Sequence, residues 1–281
     1  MSALEQKMKA EIIWACMDDS YYKEEAVLEH HCIVRLFSGE MKVVQAENSY
    51  IIEAGETFLL PRRQLATLIK YPKDGHPYRA IMLVLSAERL KDYYIRHPFN
   101  VTKAGSLSQK IKKYDANEPF LDSFFASLLP YLQMEGQLPE TMISLKLEEA
   151  ITILRSIDPD TDHVLSNFDE PGKINLAEFM EKNYMFNITL NQFSYLTARS
   201  LSTFKRDFKK SFQSTPQKWL TQKRLELAHY QLAEKNKKPI EIYDEVGFED
   251  LSHFSYAFKK HFGYTPSELI RQKVHTDSKE E

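Results

Sequence analysis

Two stretches near the carboxyl end carry the side chains best suited to contact with a polyanion. LSTFKRDFKKSFQSTP (201–216) and LSHFSYAFKKHFGYTP (251–266) lie 50 residues apart and are identical at nine of sixteen positions. A match of that kind at a fixed offset marks a duplicated structural unit. In each copy apolar residues recur at three- and four-residue spacing, as Leu201, Phe204, Phe208 and Phe212 and as Leu251, Phe254, Phe258 and Phe262. This period predicts an amphipathic helix with a buried aromatic stripe. The opposite side then shows Ser202, Lys205, Arg206 and Lys209 in the first copy, and Ser252, Ser255, Tyr256 and Lys259 in the second. A helix with such a face fits the major groove of duplex DNA, where each base pair offers its own donor and acceptor pattern. Arg206 has the fork for a guanine O6/N7 edge, and Lys205 reaches a base or a phosphate. Ser202, Lys205 and Arg206 are thus the expected base contacts of the first copy. Ser252, Ser255 and Tyr256 are the expected base or backbone contacts of the second. Thr189, Arg199, Lys209 and Lys259 are the expected phosphate contacts. A solvated face is the ordinary reading of a basic pair, but Lys209-Lys210 recurs at Lys259-Lys260, which favours phosphate for some of them.

A reading helix needs a partner to hold it. Upstream of each long helix a shorter apolar pattern also repeats, pairing Leu190 with Ile240, Phe193 with Tyr243 and Leu196 with Val246. Each copy therefore reads as a helix-turn-helix. Gly247 supplies the positive φ that a tight turn needs in the second copy, whereas Thr197-Ala198-Arg199 has no glycine and predicts a less regular turn. Pro216, Pro239 and Pro266 stand where a first helical turn favours proline. Between the copies, TPQKWLTQKRLELAHYQLAEKNK predicts a connecting helix of roughly 18 residues, or about 27 Å. A strut of that length suits two reading helices about one DNA turn, ~34 Å, apart on one duplex face.

The rest of the chain sets the context. The protein has 281 residues, about twice the ~150-residue prior for one domain, which suggests two domains. Its 43% hydrophobic and 27% charged residues fit a soluble globular protein. The net charge of -3 is uneven: residues 171–270 hold 15 Lys+Arg against 11 Asp+Glu, while residues 1–170 hold 19 against 26. No apolar run reaches the ~18 residues of a membrane span, and MSALEQKMKAEIIW lacks the apolar core of a secretory signal. Cys16 and Cys32 match neither a metal spacing nor a disulfide framework. A bacterial cytoplasm is the expected location.

Short β-branched and aromatic runs between turn sequences predict a small β-sandwich or barrel over 26–85. Helical periodicity follows over 86–157, where Leu145, Leu147, Ile151 and Leu154 read as one stripe facing a partner helix. IDPDTDHVLSNFDEPG is acidic, aperiodic and proline-containing, and reads as the boundary. The expected organisation is α+β in two domains. Residues 1–165 form the β-rich and then helical domain, and 166–172 the linker. Residues 173–272 form an all-α domain of two helix-turn-helix units joined by a helix, and 273–281 a disordered tail. His30-His31 are a poor metal pair, because adjacent residues of a strand point to opposite faces. Neither a metal nor another cofactor is expected. Tyr21, Tyr22, Phe37, Tyr50 and Phe58 are candidates for core or for an effector pocket.

The C-terminal hundred residues resemble the AraC/XylS family of bacterial transcription regulators. Ile240, Ile242, Val246, Gly247, Phe248, Phe254, Ser255, Phe258, Lys259, Lys260, Phe262, Gly263, Thr265 and Pro266 carry the family's terminal pattern. Phe204, Phe208, Lys209, Lys210, Trp219, Arg224, Leu225 and Ala228 fit its looser first-unit pattern. Tyr256 stands where the family usually has Arg, and Tyr243 where it usually has Ala. The first unit is therefore expected to supply most of the base discrimination and the second mainly backbone contact. EHHCIVRLFSGEMKVV and SYIIEAGETFLLPRRQLATLI, with turns at Gly39-Glu40 and Gly55-Glu56, resemble the cupin-like sensor domain of such regulators. SLKLEEAITIL resembles the dimerisation helix of regulators akin to activators of type III secretion genes. The resemblance implies a DNA-binding regulator, an activator by family habit. Its expected partners are promoter DNA, RNA polymerase, a second copy of itself and a small effector or regulatory protein. The alternative, a cupin-type metal enzyme with a helical appendage, lacks the necessary ligand pattern, and no enzyme activity is expected.

Overall fold

The computed structural model describes residues 5–9, 11–18, 21–98, 110–133, 138–168, 173–235 and 237–277. The chain divides into two compact units, Met1–Glu170 and Pro171–Glu281.

The first unit is a β-sandwich with helices on one outer face. Its strands are β1 (Glu5–Lys9), β2 (Ile12–Met17), β3 (Tyr22–Leu28), β4 (His31–Ser38), β5 (Glu40–Val44), β6 (Ser49–Glu53), β7 (Thr57–Leu60), β8 (Gln64–Tyr71) and β9 (Tyr78–Leu85). Helix α1 (Ala87–Arg96) precedes a short strand β10 (Lys112–Tyr114), and α2 (Pro119–Gln133), α3 (Glu140–Ile157) and α4 (Thr161–Leu165) follow. One antiparallel sheet runs β1-β2-β9-β4-β7-β10 and the other β3-β8-β5-β6. Val34, Leu36, Met41, Val43, Phe58 and Tyr78 fill the space between the sheets. Ile33, Leu59, Ile81 and Leu83 point the other way, onto Leu90, Phe124, Leu128, Leu147 and Leu154 of the helices. The six-stranded sheet is thus covered on both faces. This explains why β4 is buried continuously from His31 to Leu36 rather than on alternate residues, with Arg35 as the one charged member of the stretch. Gly39 takes φ +82°, and a Cβ there would sit 2.5 Å from the Tyr71 carbonyl oxygen, so the β4–β5 turn requires glycine.

Several boundaries differ from expectation. The β-region starts at Glu5 rather than near Ala26, and β10 interrupts the expected helical stretch by pairing with β7. β1 (EQKMK) and β10 (KKY) are too polar for a search for apolar runs, whereas β2 (IIWACM) is itself such a run. The acidic boundary segment is part of the first unit up to Phe168. Thr161, Asp162, Val164 and Leu165 of α4 are buried, and Asp162 accepts a 2.7 Å hydrogen bond from Tyr94 and pairs with Arg155 at 2.6 Å. An aspartate expected in a solvated linker is instead the anion of an internal cluster. Of the expected linker, 169–172 lies outside the described residues. The last helix, α11 (Pro266–Asp277), continues five residues into the expected tail, and 278–281 lies outside the described residues.

The expected dimerisation stripe also needs correction. Leu147, Ile151 and Leu154 are at most 1% exposed and belong to the unit's own core, whereas Leu145 is 63% exposed. Two residues on is the far side of a helix, so Leu145 and Leu147 cannot share a face. His31 is buried and its Nδ1 accepts the Arg62 N–H. Burial first, then the Arg62 and His30 charges, lowers it from 6.5 to about 3, which keeps it neutral. No cluster of three metal-capable side chains occurs among the described residues. No described helix is long and apolar enough to cross a membrane.

Candidate nucleic-acid interface

The second unit is built from α5 (Leu176–Asn183), α6 (Leu190–Leu196), α7 (Leu201–Phe212), α8 (Pro216–Glu234), α9 (Pro239–Ile242), α10 (Leu251–Phe262) and α11. Local chemistry starts each helix. Thr189 and Gln192 form a reciprocal capping box on α6, Ser200 caps α7, Thr215 caps α8 ahead of Pro216, and Asp250 caps α10. The two long helices of the repeat end alike, on a left-handed residue. This is Gln213 (φ 51°) after α7 and Gly263 (φ 87°) after α10.

The aromatic stripes face inward as the spacing requires. Phe204, Phe208, Phe254 and Phe258 are fully buried. Helix α8 meets each stripe with its own ring. Trp219 lies 5.6 Å from Phe208 and 4.6 Å from Phe212, and His229 lies 4.8 Å from Phe262 while hydrogen bonding Tyr264 at 2.9 Å. With 19 residues α8 is about 28 Å long.

Opposite the stripes, Ser202, Lys205, Arg206 and Lys209 of α7 are exposed, as are Ser252, Tyr256 and Lys259 of α10; Ser255 is half-buried. The Arg206 side chain is 73% exposed and held only by 3.4 Å contacts to Asp207, so its fork is available to an incoming acceptor. Tyr256 is 68% exposed, a large ring with nothing over it.

Arg199 is not available for phosphate. Its side chain is 8% exposed, pairs with Asp207 at 3.2 Å, and donates to the Ile174 and Thr197 carbonyls at 3.1 and 2.7 Å. It braces the first turn, where Ala198 adopts φ 54°. Thr189 is exposed, but its hydroxyl already accepts from the Gln192 N–H and donates to the Gln192 side chain. A matching brace serves the second turn. Arg224 of α8 donates to the Tyr184, Gly247 and Phe186 carbonyls at 2.9, 2.8 and 2.7 Å. Gly247 has φ 91°, and a Cβ there would lie 2.6 Å from the Met185 oxygen and 2.7 Å from Arg224 Nε. Sequence reasoning matched Arg224 to a family pattern without finding its role; a lone Arg inside a buried helix face was the available signal.

Comparison with known proteins accounts for both units. A model described as a helix-turn-helix domain matches 196–272, and one described as the ExsA N-terminal regulatory domain matches 31–164. Over both units the chain is similar to helix-turn-helix transcription regulators. It is 26% identical over 242 residues to the HTH-type transcriptional regulator ExsA of Pseudomonas aeruginosa, covering 83% of each chain. It is 23% identical over 252 residues to the virulence regulon transcriptional activator VirF of Yersinia enterocolitica, covering 86% of this chain and 89% of that protein. Among solved structures, an apo ToxT variant from Vibrio cholerae aligns over 93% of this chain and 97% of its own, at 13% identity and TM-score 0.44. The regulator is a DNA-binding protein with an α+β two-domain architecture.

Proposed function

We propose that the regulator activates transcription by reading two successive major-groove segments of a promoter with α7 and α10. The observation that carries this reading is the paired exposure of the two polar faces over buried aromatic stripes, on helices of equal length. Ser202, Lys205 and Arg206 read bases. Ser252, Ser255 and Tyr256 contact bases or backbone, and Lys209 and Lys259 contact phosphates, with Thr189 at the rim. The curated relatives named as activators support activation, and hence engagement of RNA polymerase, as this chain's own role. We assign it no catalytic activity and place it in the bacterial cytoplasm.

The N-terminal unit is the sensor in this reading. Between its sheets lies a cavity of about 430 Å³, walled by Ile13, Val34, Leu68, Met82 and Val84, with the Lys70–Glu24 ion pair (2.5 Å) of the four-stranded sheet in its lining. Its size and lining suit a small, mainly apolar effector. Its aromatic wall is Tyr78, not the five rings that the sequence offered as candidates. The regulator pairs with a second copy through the outer side of α3, where Leu145 stands exposed. Effector or partner binding acts by shifting the balance between DNA-competent and incompetent arrangements.

Selection of bound duplexes from a random pool, followed by footprinting, tests the DNA reading. Each chain is expected to protect two major-groove segments one helical turn apart. Protection of a single segment per chain overturns the two-helix reading.

A further inference from the structure

Beside the α10 reading face, the second unit has a trough that none of the roles above uses. Its volume is about 540 Å³, and it runs between one side of α8 and one side of α10. The floor is Leu225 and Ala257. From α8 it receives Lys218 and Thr221, and from α10 His253, Lys260 and His261, all exposed. No carboxylate is among the described residues that line it. The nearby Asp250 and Glu226 carboxylates accept hydrogen bonds from the His253 N–H and the Gln222 amide. A wall of cations and neutral donors with no anion is complementary to a chain of phosphates.

Position agrees with charge. Tyr256 is both a wall of the trough and the outermost ring of the α10 reading face, and Lys260 stands one turn beyond it on the same side. The trough therefore opens where duplex DNA lies when α10 enters a groove. Each wall spans nine residues of helix, about 12 Å from first to last, which is the axial rise of about three phosphate steps on one strand.

We infer that the α8–α10 trough is a binding site for the phosphodiester backbone of duplex DNA, with Lys218 and Lys260 as its two charge contacts. This rests on the DNA reading above and extends it to residues outside the two polar faces. Lys218 and Lys260 thereby join Lys259 as phosphate contacts around the second copy.

The test uses the full-length chain and two probes, a random-sequence duplex of about 30 base pairs and a duplex selected by the unmodified protein. Affinity is measured by fluorescence anisotropy across a salt series. The double variant Lys218→Gln with Lys260→Gln is compared with Lys223→Gln, which removes an α8 cation paired with Glu181 outside the trough. The double variant is expected to bind both probes roughly 10- to 60-fold more weakly at about 0.1 M salt, with a log–log salt slope shallower by about 2. Lys223→Gln should keep the original slope, and both variants should keep the original melting temperature. An unchanged slope in the double variant overturns the proposal. So does a loss of reporter transcription at unchanged DNA affinity, which would give the trough to an acidic protein surface. If the unmodified protein itself shows no salt-dependent binding to either probe, the DNA reading fails and the trough fails with it.

Discussion

Helices α7 and α10 share their aromatic stripe, their Lys-Lys pair and their length, yet the structure around them differs in a consistent direction. The first copy places non-glycine residues in left-handed backbone twice, at Ala198 and Gln213. The second uses glycine at both such places, Gly247 and Gly263. Left-handed backbone costs a residue with a Cβ about 1–2 kcal/mol. The first copy thus carries more strain, together with the more strongly charged outward face: Lys205 and Arg206 against Ser255 and Tyr256. The second copy is the more relaxed support and offers less to a base edge. The two copies keep the same packing side and the same Ser202/Ser252 and Lys-Lys positions, and differ in their turns and at Lys205/Ser255 and Arg206/Tyr256.

Removing a brace should break this pairing most severely. Arg224→Leu deprives three carbonyls of their donor, two before α6 and one in the second turn, and is expected to lower stability by about 3–5 kcal/mol. Thermal unfolding of the C-terminal unit within the full chain would register it. A loss below 1 kcal/mol would show that the turns hold without the brace. Exchange at the turns themselves should act in opposite directions. Gly247→Ala meets both an unfavourable φ and a carbonyl at 2.6 Å, for an expected loss of about 2–4 kcal/mol, whereas Ala198→Gly should gain up to about 1 kcal/mol. Equal signs in denaturant midpoints would remove the strain difference between the copies. The finest comparison is of reading power. Arg206→Ala is expected to reduce discrimination among operator variants by about 1–3 kcal/mol, and Tyr256→Ala by less than 1 kcal/mol. Equal losses of sequence preference would sink the ranking of the two faces.

The residues show where the sequence was legible. The inward stripes and outward polar faces follow from a 3.6-residue period, so Phe204, Phe254, Arg206 and Tyr256 lie on the sides their spacing required. Arg199 was misassigned because charge alone does not reveal burial; Asp207, eight residues on, takes it inward. Leu145 and Leu147 were placed on one stripe, although a two-residue step crosses a helix. β10 and α4 are hard to read from sequence because their polar residues find partners that only tertiary structure supplies, as Lys112 does with Asp158 and Asp162 with Tyr94. The trough was invisible for a similar reason: Lys218 and Lys260 are 42 residues apart, and only the packing of α8 on α10 brings them to one opening.

The Arg224 brace has a consequence for promoters. Its acceptors lie on segments that lead into both helix-turn-helix units, so under the proposed reading the two heads are expected to act as one caliper with a fixed span rather than as two tethered readers. A caliper tolerates substitution within either recognised element better than a change in the spacer between them. One inserted base pair rotates the far element by about 34°, since ~10.5 pairs complete a turn. Spacer length should therefore be the most invariant property of the promoters this regulator controls.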